Sequence, residues 1–448
     1  MTLTPVGEQR LPSHRPKVKP VPHPVKSEQL ASPQAKLVLP KALRRMTHLE
    51  DDTPEQLRAD LLAHFEALGL TNLTRHVGQN GSVLPDQHDL DKHGIRKAHQ
   101  RQRTTYLDNE VKMSGRHWHK VISRFADGHQ VDPEKIRPVL VPVQNGTFEN
   151  ELFRFATTLW SVPVSRGFGR RMRYLVMDAH NEKLIGIFAL GDPVFNLRAR
   201  DKLIGWDQAA RRSRLVDVMD GYVIGSMPPY SALLGGKLVT SLIGSREVSE
   251  AFRVKYGGTT GIISEEEKGA RLALVTITSA LGRSSIYNRL HLKNAGTGDT
   301  LVKLDRVGMT DGYGHFHLSE DLFGRMRYML LKKEHPYATK HQFGDGPNWR
   351  MRTIRVALTE LGLSPNLVRH GISREVFAMP LVKNYKAVLR DGKRIWGSQR
   401  PSVDEITEAA LERWILPRAA SRPEYRCVRR SQYLAEQLAL HPTLLLPV

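Results

Sequence analysis

The chain has a single cysteine, Cys427, in 448 residues. That excludes an internal disulfide and any cysteine-rich zinc site. It has no apolar run long enough to span a bilayer, which takes roughly 18 residues, so no membrane helix is expected. No apolar segment precedes the first prolines in the manner of a signal peptide, and the expected location is the cytoplasm. Acidic residues are scarce beside basic ones: 46 Asp and Glu against 67 Lys and Arg, a formal charge of +21. A field of that sign draws polyanions. Nucleic acid, DNA first, is the expected partner, with a membrane surface as the competing polyanion.

What is present is otherwise ordinary for a globular chain, with 40% apolar and 25% charged residues. The length allows two to three units with a sizeable core. Residues 1–48 hold eight prolines and nine Lys or Arg against two acidic residues, and read as a disordered basic arm able to lie on phosphates. Residues 49–147 read as a helical, basic domain. Its first helix is signalled by Thr53 as N-cap, Pro54 at the first helical position, Gln56 completing a capping box, and Leu57, Leu61, Leu62, Phe65 and Leu68 on one face. Further on, Arg96, Lys97 and Arg101 recur at helical spacing with Tyr106 and Trp118 interleaved. This pattern suits a phosphate backbone, with aromatics either stacking on bases or filling the core.

Residues 148–333 form the expected core, an α+β unit around a mixed or antiparallel sheet, with an acetyltransferase-like arrangement as one version. Strands are expected at Tyr174–Asp178, Leu184–Leu190, Leu215–Ser226, Leu272–Ser279 and Thr300–Val307, and again at Phe316–Leu318. Helices are expected at Leu233–Leu242, Val248–Tyr256 and Ile286–His291, and from Ser319 to Leu331. Residues 334–448 read as basic and mainly helical, with helices over Met351–Leu361 and from Ser402 to Trp414.

Four constellations are candidates for chemistry. Arg166, Arg170, Arg171 and Arg173, spaced by Gly167 and Gly169, suit phosphate binding, because the guanidinium fork matches phosphate geometry. Gly235, Gly236 and Lys237 open a helix after a strand and a Pro-Pro turn. Free N–H groups there would hold a phosphate. The strand–turn–helix order also resembles acyl-CoA-binding acetyltransferase folds, which implies a site for the pyrophosphate of coenzyme A here and Tyr287 as proton donor to a leaving thiolate; close helix–sheet packing is the plainer use of the glycines. His315 and His317 would share one strand face and hold a divalent metal such as Mg²⁺ or Mn²⁺, with Tyr328 or Tyr337 attacking a phosphodiester in a nicking reaction. Asp178, Asp192, Asp201, Asp217 and Asp220 would hold such a metal if they converged. Asp192 before Pro193 also reads as a turn residue, and Asp201 after Arg200 as a local ion pair.

The stretches Phe168-Gly169-Arg170-Arg171, Leu184-Ile185-Gly186, Gly191-Asp192-Pro193-Val194-Phe195-Asn196-Leu197, Arg200-Asp201, Ile204-Gly205-Trp206 and Pro228-Pro229-Tyr230 carry a resemblance. So do Leu234-Gly235-Gly236-Lys237-Leu238 and Thr278 through Leu290. Across residues 95–330 the chain resembles the DruA family of Druantia anti-phage proteins. The resemblance implies a part in bacterial defence or a mobile element, beside partner proteins such as a helicase, and supplies no catalytic residue. The expected function is therefore DNA binding in anti-phage defence. The alternatives are a metal-dependent nicking nuclease or transposase, and a DNA-modifying acyltransferase.

Overall fold

The structure is a computed structural model that describes residues 52–67, 92–114, 118–162, 164, 169–260, 267–268, 270–315, 318–335, 349–368, 373–396 and 400–438. The proline-rich arm, Arg166, His317, Tyr337 and the side chains of Lys97, Arg101 and Trp118 lie outside what it describes. All described residues fall in one unit, Thr47–Val448.

Among the described residues the centre is a seven-stranded sheet. Its strands are β1 (Pro138–Pro142), β2 (Arg171–Asp178), β3 (Lys183–Gly191), β4 (Val218–Ser226), β7 (Leu274–Thr278), β10 (Asp305–Met309) and β11 (Glu375–Pro380), in the order β1-β2-β3-β4-β7-β11-β10. The minor pairs are β5 (Thr259–Thr260) with β6 (Glu267–Lys268), and β8 (His291–Lys293) with β9 (Thr300–Lys303). Every pairing in the large sheet is antiparallel except β4 with β7, which runs in parallel from Val218↔Leu274 to Gly221↔Ile277. The expected α+β class with a mixed sheet is the observed one.

The hairpin between β2 and β3 forms as its residues dictate. Asn181 Oδ1 accepts the Lys183 N–H at 3.0 Å, Asp178 Oδ1 accepts the His180 N–H at 3.1 Å, and Glu182 takes φ 58°; short polar side chains close such turns. The sheet reaches beyond residues 148–333 on both sides. Pro138 and Pro142 bracket β1, the edge strand, where a missing N–H costs no ladder bond. The other outlying strand is β11, inserted between β7 and β10. Its sequence Glu-Val-Phe-Ala-Met-Pro was expected to lie in a helical region. A short apolar run buried on both faces shows no period by which to separate strand from helix.

Before the sheet lie α1 (Pro54–Ala67), α2 (Lys92–Ser114), α3 (Trp118–Ile122) and α4 (Phe148–Thr158). The expected α1 cap is present, with Thr53 Oγ1 accepting the Gln56 N–H at 3.1 Å. The Gln56 side chain turns to Asp60 instead of closing a capping box. Two helices not expected from sequence, α5 (Arg198–Ile204) and α6 (Gln208–Arg214), connect β3 to β4. Then come α7 (Gly235–Leu242), α8 (Arg246–Tyr256) and α9 (Glu320–Lys332), the last capped by Ser319, whose Oγ accepts the Leu322 N–H at 3.1 Å. Ser402 and Glu405 form a capping box at Val403–Ala410, where the helix expected from Ser402 begins.

Alternation along the strands splits the core. Met172, Tyr174, Val176, Phe188 and Leu190 bury on one face with Leu238, Val239 and Leu242 of α7. Leu175, Ile187, Ala189 and Val223 bury on the other with Phe153 and Phe155 of α4. Phe188, Phe252 and Phe377 are among the largest fully buried side chains, each worth roughly 2–3 kcal/mol of apolar burial.

The feature that positions a site is the β4/β7 pair. Beyond β4 the sheet continues toward β1; beyond β7 it continues toward β10. In other sheets ligands enter past the carboxyl ends of such parallel neighbours, and here Thr278 at the carboxyl end of β7 pairs with Val376 at the start of β11.

Candidate functional site

The expected helix over Ile286–His291 does not form. After β7 the chain runs through turns from Ala280 to Arg289, then enters β8. Arg289 takes φ 60°, a left-handed conformation unusual for a residue with a β-carbon. Ser284 N–H donates to Glu375 Oε2 at 3.2 Å, and the Ser279 N–H donates to the Glu375 carbonyl at 2.9 Å. These bonds tie the loop to the start of β11.

At this place lies an open cavity of about 730 Å³, lined by Lys237, Arg283, Ser285, Asn288, Arg289, Arg306, Met309 and Glu375. Four cations face one carboxylate. Glu375 is buried, and its Oε1 accepts from Arg306 Nε at 2.8 Å. Among the described residues the side chains of Arg283 and Arg289 make no hydrogen bond or ion pair. Lys237 lies 5.2 Å from the centre of the Trp414 ring. Burial holds its pKa below the ordinary lysine value, and repulsion from Arg413 and Arg289 pushes it the same way. A cavity crowded with like charges, two of them unpaired, is complementary to an anion.

The glycines beside Lys237 serve packing. A β-carbon on Gly235 would stand 2.6 Å from the Tyr230 carbonyl oxygen, and one on Gly236 would meet Ile286 Cδ1 at 3.2 Å. They let α7 close against the preceding turn and the 280–289 loop, so Lys237 is the member of that trio that lines the cavity.

The arginine run has a different use. Arg170 donates its backbone N–H and its Nε to Asp192, Nη1 to the Val216 carbonyl at 2.7 Å and Nη2 to the Val218 carbonyl at 3.2 Å. It lies over the rings of Phe252 and Tyr256. Arg173 bonds Asn150 and Asn145. Arg171 packs 4.3 Å from the centre of the Tyr222 ring and tucks beneath Gly191, where a β-carbon would meet its Nη1. These side chains are spent on the fold. On α2, Arg96 reaches Ser161 Oγ at 3.4 Å.

The carboxylates do not converge. Asp192 is taken by Arg170, and Asp201 by Arg200 and Arg211 at 2.7 and 2.8 Å. Asp178 accepts the Tyr230 hydroxyl, Asp217 the Arg271 N–H, and Asp220 the Thr276 hydroxyl. Burial raises the pKa of both Asp217 and Asp220. Among the described residues no three His, Cys, Asp or Glu side chains gather as metal ligands. Tyr287 is buried with its ring edge-on to Phe377, and burial pushes its pKa up, so it is not presented as a proton donor. Tyr328 is buried on α9 beneath Lys332. His315 is partly buried, its pKa pushed down to about 4 by burial and then by Arg350.

Arg283, Ser285, Asn288 and Arg289 lie within the stretch ending at Leu290 that carries the resemblance, and neither they nor Arg306 and Glu375 belong to any of the four sequence constellations. The available signal was negative. A polar stretch without period between two apolar strands is loop, and loops at strand ends carry function.

Among the described residues no helix is long and apolar enough to cross a membrane. A family model described as Druantia protein DruA matches residues 89–391. The Druantia protein DruA of Escherichia coli strain UMEA 4076-1 is 46% identical over 372 residues, covering 83% of this chain and 89% of that protein. No solved structure matches the chain.

Proposed function

The chain belongs to the Druantia protein DruA family, and from that premise we propose that it is a DNA-binding component of an anti-phage defence system, working beside other proteins of its locus. The observation that carries the reading is the pair of unpaired cations, Arg283 and Arg289, that stand beside Lys237 at the cavity past β7. The arginines of the 170–173 run are held by internal partners. Charge alone attracts any polyanion; cations without partners at a concave site favour phosphate groups, which Arg meets in bidentate geometry. The net charge of +21 supports encounter with DNA at a distance.

The test is binding of the full chain to single- and double-stranded DNA, followed by fluorescence anisotropy across a salt series. The expected result is an affinity that falls steeply with salt and is weakened by Arg283→Ala and Arg289→Ala. Binding that ignores salt, or survives both substitutions unchanged, would overturn this reading. Running the same mixtures with Mg²⁺ or Mn²⁺ on a denaturing gel tests strand cleavage, which the nuclease alternative requires and binding alone does not.

A further inference from the structure

Proceeding from that reading, we propose that the cavity past β7 takes the terminal phosphate of a nucleotide, the phosphomonoester or polyphosphate group carried by a nucleoside, in preference to the diester backbone of a strand. The first argument is size. About 730 Å³ falls within the roughly 300–1,000 Å³ of sites that enclose one small molecule. A duplex lies across such a cavity; one nucleotide enters it.

The second argument is charge. Lys237, Arg283, Arg289 and Arg306 against Glu375 leave three positive charges in one small space. An internal phosphodiester brings one negative charge. A phosphomonoester brings about two near neutral pH, and a polyphosphate more. Burial first, and then repulsion from Arg413 and Arg289, lower the Lys237 pKa, and the most highly charged phosphate offsets that repulsion best.

The third argument is the polar remainder of the wall. Arg306 and the Ser284 N–H hold the buried Glu375 carboxylate in place. A fixed carboxylate repels phosphate and accepts from sugar hydroxyls or the amino edge of a base. Asn288 and Ser285 add groups that both donate and accept, and Met309, 39% exposed, offers an apolar contact. The wall therefore has a cationic part for phosphate and a mixed polar part for a nucleoside.

Two sources supply this chemistry, the 5′-phosphorylated end of a strand and a free nucleotide. Anisotropy of the full chain with one 3′-labelled oligonucleotide, prepared with a 5′-phosphate or a 5′-hydroxyl, separates them when combined with competition by ATP, AMP and inorganic phosphate at matched ionic strength. If strand ends are the source, the 5′-phosphate form binds about tenfold more tightly, the worth of about one charge-assisted hydrogen bond. If free nucleotides are the source, ATP displaces the probe while the two ends bind alike. In either case Arg289→Gln and Arg283→Gln abolish the effect while the thermal midpoint holds. DNA binding that is indifferent to the 5′ end and to ATP would overturn the assignment and leave DNA binding standing. Displacement by inorganic phosphate as strong as by ATP would also overturn it. Failure to bind any DNA would instead remove the broader proposal.

Discussion

Arg170 and Asp192 hold each other twice: the Arg170 backbone N–H reaches Asp192 Oδ2 at 2.8 Å and its Nε reaches Oδ1 at 2.7 Å. With both Nη atoms bonded to carbonyls ahead of and within β4, the guanidinium ties the start of β2 to the end of β3 and the entry of β4. A lysine in its place keeps the charge and loses the fork. Arg170→Lys is therefore expected to cost about 2–3 kcal/mol of stability, from the loss of hydrogen bonds to a charged group. The slope of DNA affinity against salt should not change. Urea denaturation and anisotropy measure the two, and a stable variant with a shallower slope would make Arg170 a phosphate contact after all.

Gly169 supports the same pair. Its φ is +92°, and a β-carbon there would stand 2.2 Å from Asp192 Oδ2. Gly169→Ala has both a strained backbone and a displaced carboxylate to accommodate, so a loss of about 2 kcal/mol or more is expected. Asp192→Ala removes the obstacle but not the backbone strain. The double variant should therefore lose less than the sum of the two single losses; strict additivity in a double-mutant cycle would refute this account of the turn.

What the sequence disclosed follows from which signals are local. The α1 cap at Thr53 and the helix that opens at Ser402 depend on residues within four positions, and both are legible. β11 owes its place to long-range pairing with β7 and β10, and Glu375–Pro380 carries no local sign of it. The same division explains the site. Arg170 and Arg173 formed the most conspicuous basic run, yet Asp192, Asn145 and Asn150, about 20–30 residues away, consume their donors. Arg306 and Glu375 are 69 positions apart and 2.8 Å apart in space. No spacing rule joins them.

His99 gives the fold an acid-sensitive point. It is 2% exposed and bonded to Gln102, with Arg374 Nη2 3.3 Å from its Nε2. Burial chiefly, and Arg374 further, hold its pKa down to about 4. In the unfolded chain it titrates near 6.5. The unfolded state therefore binds the proton first, and the stability His99 contributes is present above about pH 6.5 and is lost as pH falls toward 4. The full difference corresponds to roughly 3 kcal/mol. Denaturation midpoints should decline as pH falls from 7 to 5 for the native chain and decline less for His99→Gln; parallel curves would clear His99 of the effect.

Lys237 should behave in the opposite sense from a structural cation. Its ammonium is partly buried and repelled by Arg413 and Arg289, so its folded pKa lies below the unfolded one. A lysine so placed destabilises the fold while it is charged, and the free protein gains stability as pH rises through that lowered pKa. Bound phosphate reverses the balance by favouring the charged form, so affinity should fall over the same rise in pH. Lys237→Met keeps an unbranched apolar side chain for Trp414 and removes the charge. At neutral pH it is expected to unfold at the same or higher urea concentration. It should also bind DNA more weakly, with the salt slope reduced by about one, the share of a single phosphate contact. A purely structural Lys237 predicts lost stability with an unchanged slope, so the urea midpoint and the salt series, measured on the one variant, distinguish the two roles.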